Sequence, residues 1–179
     1  MRFLAILGVW AAALPALAHA NVQVLGFEIG VTTAEQVKAQ LAKQIGKHEV
    51  ITNNFTGGPQ FRTNGAGYGI SGLTSVSYIF DKAQKLAGVV MEMSKSSFNE
   101  TFATLSAKYK LVSRNPPGRD ALFARFEARE GTIELDRSLQ GMDMQARYFR
   151  SDVYQKLALV TEREAHQRRA AALVCCIDP

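Results

Sequence analysis

The sequence predicts an α+β fold: two helix-plus-β-hairpin units forming one antiparallel sheet, with their helices packed on one face, followed by a C-terminal helix. Three observations predict it. A helix-capping pattern stands at Thr32–Glu35 and again at Ser97–Glu100. In such a pattern a hydroxyl and a glutamate three residues later satisfy backbone donors reciprocally. Each start leads into an apolar stripe at helical spacing: Val37, Leu41 and Ile45 in the first, and Phe98, Phe102, Leu105 and Tyr109 in the second. Segments of period-two alternation, the signature of half-buried strands, follow each stripe.

The first twenty residues are of a different kind. Arg2 is a minimal basic region, Phe3 to Leu17 is apolar apart from a glycine and a proline, and Ala18-His19-Ala20 is a small-x-small site. This predicts a secretory signal cut before Asn21, and hence a periplasmic or secreted protein. Pro15 and His19 interrupt the run before the roughly 20 apolar residues that a membrane span needs. No cysteine follows the cut, so lipid attachment is not expected, and no later segment is apolar enough to span. Cleavage would leave 159 of the 179 residues, with 20 basic side chains against 16 acidic ones and a net charge of +4. That charge is mild and scattered, so nucleic acid is not an expected partner. The predicted organisation is a signal over 1–20, one α+β domain over 21–150 with units at about 21–96 and 97–150, and a helix and tail over 151–179.

Val22 to Phe27 alternates loosely and predicts a first strand or extended arm. Gly26 and Gly30 flank the entry to helix one, which ends at Gly46, a residue suited to the left-handed C-terminal position. Glu49 to Phe55 is β-branched and reads as a strand. Val76, Tyr78 and Phe80 share a face, Asp81 to Gln84 turns, and Ala87, Val89, Met91 and Met93 share the returning face. The result is a hairpin with one buried side. After helix two, Lys110 to Ser113 extends and Asn115-Pro116-Pro117-Gly118 breaks the chain. Leu122, Ala124 and Phe126, then Ile133 and Leu135, then Met142, Met144, Ala146 and Tyr148 alternate as further strands. Asp152 to about Ala172 predicts the last helix, with an apolar edge of Val153, Leu157 and Val160. Its second half is polar and alanine-rich, so its helicity would rest on propensity.

From helix to hairpin is about 28 residues in the first unit and about 12 in the second. The difference matches the glycine-dense run Thr56 to Gly72, which reads as an insertion into one unit, since long loops in compact domains are uncommon. It is either a binding surface or an irregular edge strand that tolerates glycine. On the first reading Phe61, Arg62 and Tyr68 are the candidate partner-binding residues, since aromatics and arginine make good anchors.

Other motifs point away from catalysis. Gly67-Tyr68-Gly69-Ile70-Ser71-Gly72 matches G-x-G-x-x-G, but a dinucleotide site needs a helix after it. Here a strand follows, and no cofactor is expected. His48 and His166 remain after signal removal, and both read as surface residues. Glu127, Glu134, Asp136 and Asp143 lie on or near neighbouring strands. Cross-strand pairing with Arg125, Arg137 or Arg147 accounts for them more plainly than a catalytic pair does. Cys175 and Cys176 are adjacent at the C-terminus. They can form a strained vicinal ring or an intermolecular bridge, or stay as thiols, but cannot staple distant parts of the fold. Adjacent cysteines fit zinc spacing poorly, and no metal site is expected.

The signal segment, G-F-E-I-G-V-T-T-A-E-Q-V over Gly26–Val37, the apolar strand pair, and S-F-N-E-T-F-A-T-L-S-A-K-Y over Ser97–Tyr109 together resemble a group of small exported bacterial proteins. These are built on a helix-plus-antiparallel-sheet repeat, with the β-lactamase inhibitor protein and the SmpA/OmlA outer-membrane assembly lipoproteins as familiar members. The resemblance covers about residues 23–150 and rests on helix entries. It implies a protein that binds other proteins of the envelope through the sheet's open face and loops. The chain departs from the lipoproteins in lacking the lipidated cysteine, and from the inhibitor in lacking disulfides that bridge its loops. No functional residue is carried over. The function expected is therefore a non-enzymatic exported protein that binds another protein or envelope component. The alternatives are a small envelope hydrolase with a sparse acid/base site and a structural envelope component joined through Cys175 and Cys176.

Overall fold

The computed structural model describes residues 22–46, 48–115, 122–137 and 143–174. The predicted signal, the Pro116–Gly118 break and both cysteines lie outside them. Two short strands, β1 (Gln23–Val24) and β2 (Phe27–Glu28), form a hairpin whose turn residues Leu25 and Gly26 both have positive φ. A two-residue turn of that kind suits the natural twist of paired strands. Helix α1 (Ala34–Gln44) leads into β3 (Glu49–Thr52), β4 (Gly57–Asn64), β5 (Leu73–Asp81) and β6 (Leu86–Ser94). Helix α2 (Phe98–Lys108) leads into β7 (Lys110–Arg114), β8 (Leu122–Ala128), β9 (Gly131–Arg137) and β10 (Asp143–Arg150). Helix α3 (Ser151–Val174) follows directly.

The eight strands β3 to β10 form one antiparallel sheet in the order β3-β4-β5-β6-β10-β9-β8-β7. The α+β class and the antiparallel sheet are as the sequence predicts. The seam between the two meanders is β6 against β10, running from Ser94 opposite Asp143 to Gly88 opposite Phe149.

One face of the sheet carries the main core. Val37 and Leu41 of α1, Phe98 and Leu105 of α2, and Val24 and Phe27 of the small hairpin pack on Val76, Tyr78, Phe80, Phe126, Ile133 and Leu135. Burying a side chain of this size contributes about 1.5–3 kcal/mol. The opposite face carries a smaller cluster under α3: Ile79, Ala87, Phe149 and Val153, with Val90 and Leu157 packed against it.

Four expectations need correction. The run Thr56 to Gly72 is not one irregular stretch: Gly57–Asn64 is β4, paired to β3 on one side and β5 on the other and so not an edge, and only 65–72 is a loop. The alternating pattern of β4 is hidden by glycine, proline and asparagine, which carry little strand signal. Helix α1 is capped one residue later than predicted. Thr33 accepts from the Gln36 backbone N–H and the Gln36 side chain accepts from Thr33 N–H, while Thr32 Oγ1 accepts from Glu28 N–H. The Ser97–Glu100 box does not form, because a 3-10 turn over Lys95–Ser97 extends the helix backwards and gives Ser97 a helical backbone. Ala87 points to the α3 side, because the pairing shifts register between Ile79 and Phe80.

Candidate functional site

The three predicted partner-binding residues do not converge. Successive residues of a strand face opposite sides of a sheet, and β4 separates Phe61 from Arg62. Phe61 is buried, its ring centre 4.9 Å from Phe80 and 5.3 Å from His48. It is a core residue and not a surface anchor. Arg62 lies on the face away from α1 and α2, half-exposed, with Nη2 3.3 Å from Glu92 Oε2. Tyr68 is half-buried on the helix side. Its hydroxyl lies 2.8 Å from Thr63 Oγ1 and accepts from the Tyr78 hydroxyl at 3.1 Å. Burial, helped by that bond to Tyr68, pushes the Tyr78 phenol far above its ordinary range.

The face away from α1 and α2 presents side chains in rows that the ladder registers define. One row crosses six strands as Asn64, Ser75, Glu92, Gln145, Asp136 and Phe123. The next crosses the same strands as Arg62, Ser77, Val90, Arg147, Glu134 and Arg125. A third, through Ile79, Gly88 and Phe149, lies where the α3 cluster forms. Helix α3 also reaches the second row, where Tyr154 donates to Glu134 Oε1 at 2.7 Å and accepts from Arg125 Nη1 at 3.2 Å.

The charges in these rows are paired. Glu92 accepts from Arg62 and from Ser75 Oγ. Arg147 donates to Gln145 Oε1 at 2.9 Å and Asp136 Oδ2 at 3.4 Å, and its Nη1 lies 3.9 Å from Glu134 Oε2. Glu127 pairs with Lys110 at 3.5 Å at the sheet margin. The carboxylates singled out in the sequence thus sit in cross-strand ion pairs, and Asp143 is exposed at the start of β10. Arg147 is paired with Glu134 and Asp136 as the sequence suggests, whereas Glu92 and Gln145 escaped sequence reasoning. Their strands alternate visibly, but which strands would lie side by side is not written in the alternation.

The helix side has a different character. Gly65 to Gly72, which holds the G-x-G-x-x-G run, is a strap between β4 and β5 rather than a strand-to-helix turn. A cleft of about 440 Å³ opens between this strap and α2. Ile70, Met91, Met93, Leu105 and Tyr148 line its apolar part, and Glu100, Thr101 and Thr104 of α2 stand at its edge. Burial, together with the neighbouring Tyr109, pushes the Tyr148 phenol up to about 12. On the other side of the strap a second hollow of about 410 Å³ lies between Tyr68, Tyr78, Phe27 and Leu41.

His48 is half-buried rather than a plain surface residue, and its Nδ1 has no hydrogen-bond partner among the described residues. The side chain of His166 lies outside the described residues, as do Cys175 and Cys176. Among the described residues no three His, Cys, Asp or Glu side chains are grouped to hold a metal ion, and no helix is long and apolar enough to cross a membrane. Comparison of the chain with protein-family models, with curated proteins and with solved structures finds no match.

Proposed function

We propose that this is an exported, non-catalytic binding protein of the cell envelope. It docks another protein on the part of the sheet that α3 leaves open. The observation that carries the reading is the pair of polar rows from Arg62 and Asn64 across to Asp136 and Arg147. Such a surface offers donors, acceptors and both signs of charge, the mixture found in non-obligate protein interfaces. Its outermost pair, Arg62 with Glu92, has side chains 50% and 35% exposed. Ion pairs this wet contribute about 1 kcal/mol or less. A partner carboxylate can therefore replace Glu92 on Arg62 at little cost.

The predicted signal over 1–20 supports export. The resemblance to the β-lactamase inhibitor protein and the SmpA/OmlA lipoproteins supports binding through the sheet's open face. We read α1 with β3–β6 and α2 with β7–β10 as two versions of one unit, joined at the β6–β10 seam. The mirrored strand order supports that reading. The non-catalytic reading is supported by Glu134 and Asp136, both engaged by Arg147, and by the packing of His48 on Phe61.

Site-specific photocrosslinking in cells tests it. A crosslinking side chain at Gln145 is expected to yield one defined protein adduct. The same group at Glu35, on the exposed side of α1, yields none, and Arg62→Glu removes the Gln145 adduct without changing the melting curve. The same adducts from Gln145 and Glu35, or none from Gln145, would discard the open-face site. The mass of the purified protein tests export separately: a chain beginning at Asn21 is expected, and one retaining residues 1–20 refutes it.

A further inference from the structure

The two margins of the eight-stranded sheet are not alike. Strands β3 and β7 stand at its ends, and an end strand turns a row of backbone N–H and C=O groups away from its ladder. Strand β7 is guarded. Its sequence KLVSR begins and ends in a cation, and its pairing with β8 shifts register between Leu111 and Ser113. Charged side chains and broken register are common defences against edge-to-edge pairing. Strand β3 has no such defence. It reads EVIT, every residue is exposed, and its pairing with β4 runs without a shift. Val50 and Ile51, on opposite faces of the sheet, are 57% and 44% exposed.

The direction of each backbone group on β3 follows from one bond. Asn53 N–H donates to Gly58 O at 2.9 Å. Hydrogen-bonded and non-bonded pairs alternate along an antiparallel ladder, so Ile51 and Glu49 also turn their groups to β4. Val50 and Thr52 turn theirs outward. Pro59 agrees with this: it stands opposite Thr52, at a position that calls for no N–H.

A second β3, related by a two-fold axis normal to the sheet, complements this edge. Val50 exchanges both backbone bonds with Thr52 of the second copy, and Thr52 with its Val50. Ile51 then meets Ile51 of the second copy in a non-bonded pair, the kind whose side chains lie closer. Glu49 falls opposite Asn53 of the second copy. Asn53 Nδ2 gives one hydrogen to Gln60 Oε1 at 2.8 Å, and an amide nitrogen carries two. The other can go to the exposed Glu49 carboxylate, a charge-assisted bond that the symmetry forms twice. The register two residues away sets Glu49 against Ile51 of the second copy and answers no charge.

We propose that β3 is a self-association edge: two copies of this chain join through antiparallel β3 strands, centred on Ile51, into one continuous sheet. The interface is isologous, since the same strand serves both copies. It does not rest on the docking site of the open face. A contact built on four-residue strands is small, so the dimer is a weak one.

Sedimentation equilibrium of the purified protein tests this, with reductant present so that Cys175 and Cys176 cannot bridge copies. The mass is expected to rise from monomer to dimer between about 1 µM and about 1 mM, the span in which weak associations populate. Ile51→Lys and Ile51→Glu each set like charges face to face and should weaken the dimer about tenfold or more. An equimolar mixture of the two variants should recover it, because lysine then meets glutamate. Thr52→Pro removes an outward N–H while sparing the bonds to β4, and is the second block should a charged variant fold poorly. Val112→Lys, on β7, should leave the dimer unchanged. A monomer at every concentration overturns the proposal, as does a dimer that survives both Ile51→Lys and Thr52→Pro. A mixture that stays monomeric overturns the Ile51-centred register. Loss of the dimer in Val112→Lys places the contact on β7 and overturns the proposal as well.

Discussion

Arg150 Nη1 lies 2.8 Å from Asp81 Oδ2 and ties the end of β10 to the turn between β5 and β6. The other side of the same guanidinium grips Asp152, with Nε 2.6 Å from Oδ1 and Nη2 3.0 Å from Oδ2. One residue therefore fastens the β5–β6 hairpin, the last strand and the first turn of α3. Burial alone would raise the Asp81 carboxyl. The hydrogen bond from Arg150, with those from the Lys85 and Ala83 backbone, outweighs it and holds Asp81 below the usual carboxylate range. Asp152 is lowered chiefly by its bond from Arg150. A carboxyl lowered in the folded state contributes stability above its unfolded pKa, near 3.9 for aspartate, and loses it as pH falls through the folded value. Arg150→Gln is expected to cost about 1–2 kcal/mol at neutral pH. The difference from the unmodified protein should shrink as pH drops below about 4. Urea melts at neutral and acid pH check this, and a gap that persists in acid contradicts it.

The two arginines of the open face should behave differently. Arg62 meets Glu92 in a pair that water reaches, so Arg62→Ala is expected to shift stability by less than about 0.5 kcal/mol. Arg147 stands among Glu134, Asp136 and Gln145, and the Glu134 side chain is only 13% exposed. Removing Arg147 leaves two carboxylates near each other without their shared cation. Arg147→Ala should therefore cost about 1–2 kcal/mol, because the loss includes an under-satisfied, partly buried acceptor. Chemical denaturation of the two variants checks the contrast, and equal effects would remove it.

Much of the sheet was legible because buried strands must alternate. Val76, Tyr78, Phe80, Ile133 and Leu135 announce their faces, and all five are fully buried. Strand β4 was not legible. It reads GGPQFRTN, and only Phe61 and Thr63 turn into the core. The open site was hidden for another reason. Glu92 and Gln145 are neighbours because β6 pairs with β10, and strands that far apart in the chain carry no local mark of their pairing. Arg62 was found as a residue type, but its partner Glu92, thirty positions on, came only with the register. Helix α3 was anticipated in sequence. Its place on the second face was not, since that depends on Ile79, Ala87 and Phe149 turning outward together.

The strap between β4 and β5 contains two glycines that should respond differently to alanine. A Cβ on Gly65 would lie 1.9 Å from the Leu73 carbonyl oxygen, a backbone atom that cannot step aside alone. Gly69 has φ near +66° with nothing within 4 Å of its missing Cβ. Alanine there meets only the left-handed backbone penalty, roughly 1–2 kcal/mol. Gly65→Ala must displace the strap from β5 and is expected to cost about 1–3 kcal/mol, as overpacking does. It should also loosen the hydroxyl contacts of Tyr68 with Thr63 and Tyr78. Thermal melts of both variants, with hydrogen exchange at the strap, read the two effects. The expected pattern is faster strap exchange in Gly65→Ala alone.

Tyr154 is the polar fastener of α3. Its hydroxyl donates to Glu134 Oε1 and accepts from Arg125 Nη1, so it links the helix to two adjacent strands, β9 and β8. Burial leads in raising its phenol above the ordinary range; the bond from Arg125 opposes this, and the bond to Glu134 adds to it. Tyr154→Phe keeps the ring but strips both strands of a partner. The expected loss is about 1–2 kcal/mol, since Glu134 then sits partly buried with one hydrogen bond fewer. Val153 and Leu157 still pack on Ile79, Ala87 and Phe149. The helix should therefore stay docked by its apolar edge while its hold on β8 and β9 weakens. Hydrogen exchange separates the contributions: Tyr154→Phe should speed exchange in α3 more than in α1. Val153→Ala, which opens the apolar contact itself, should speed α3 further. Equal exchange in Tyr154→Phe and the unmodified protein would assign the docking of α3 to its apolar edge alone.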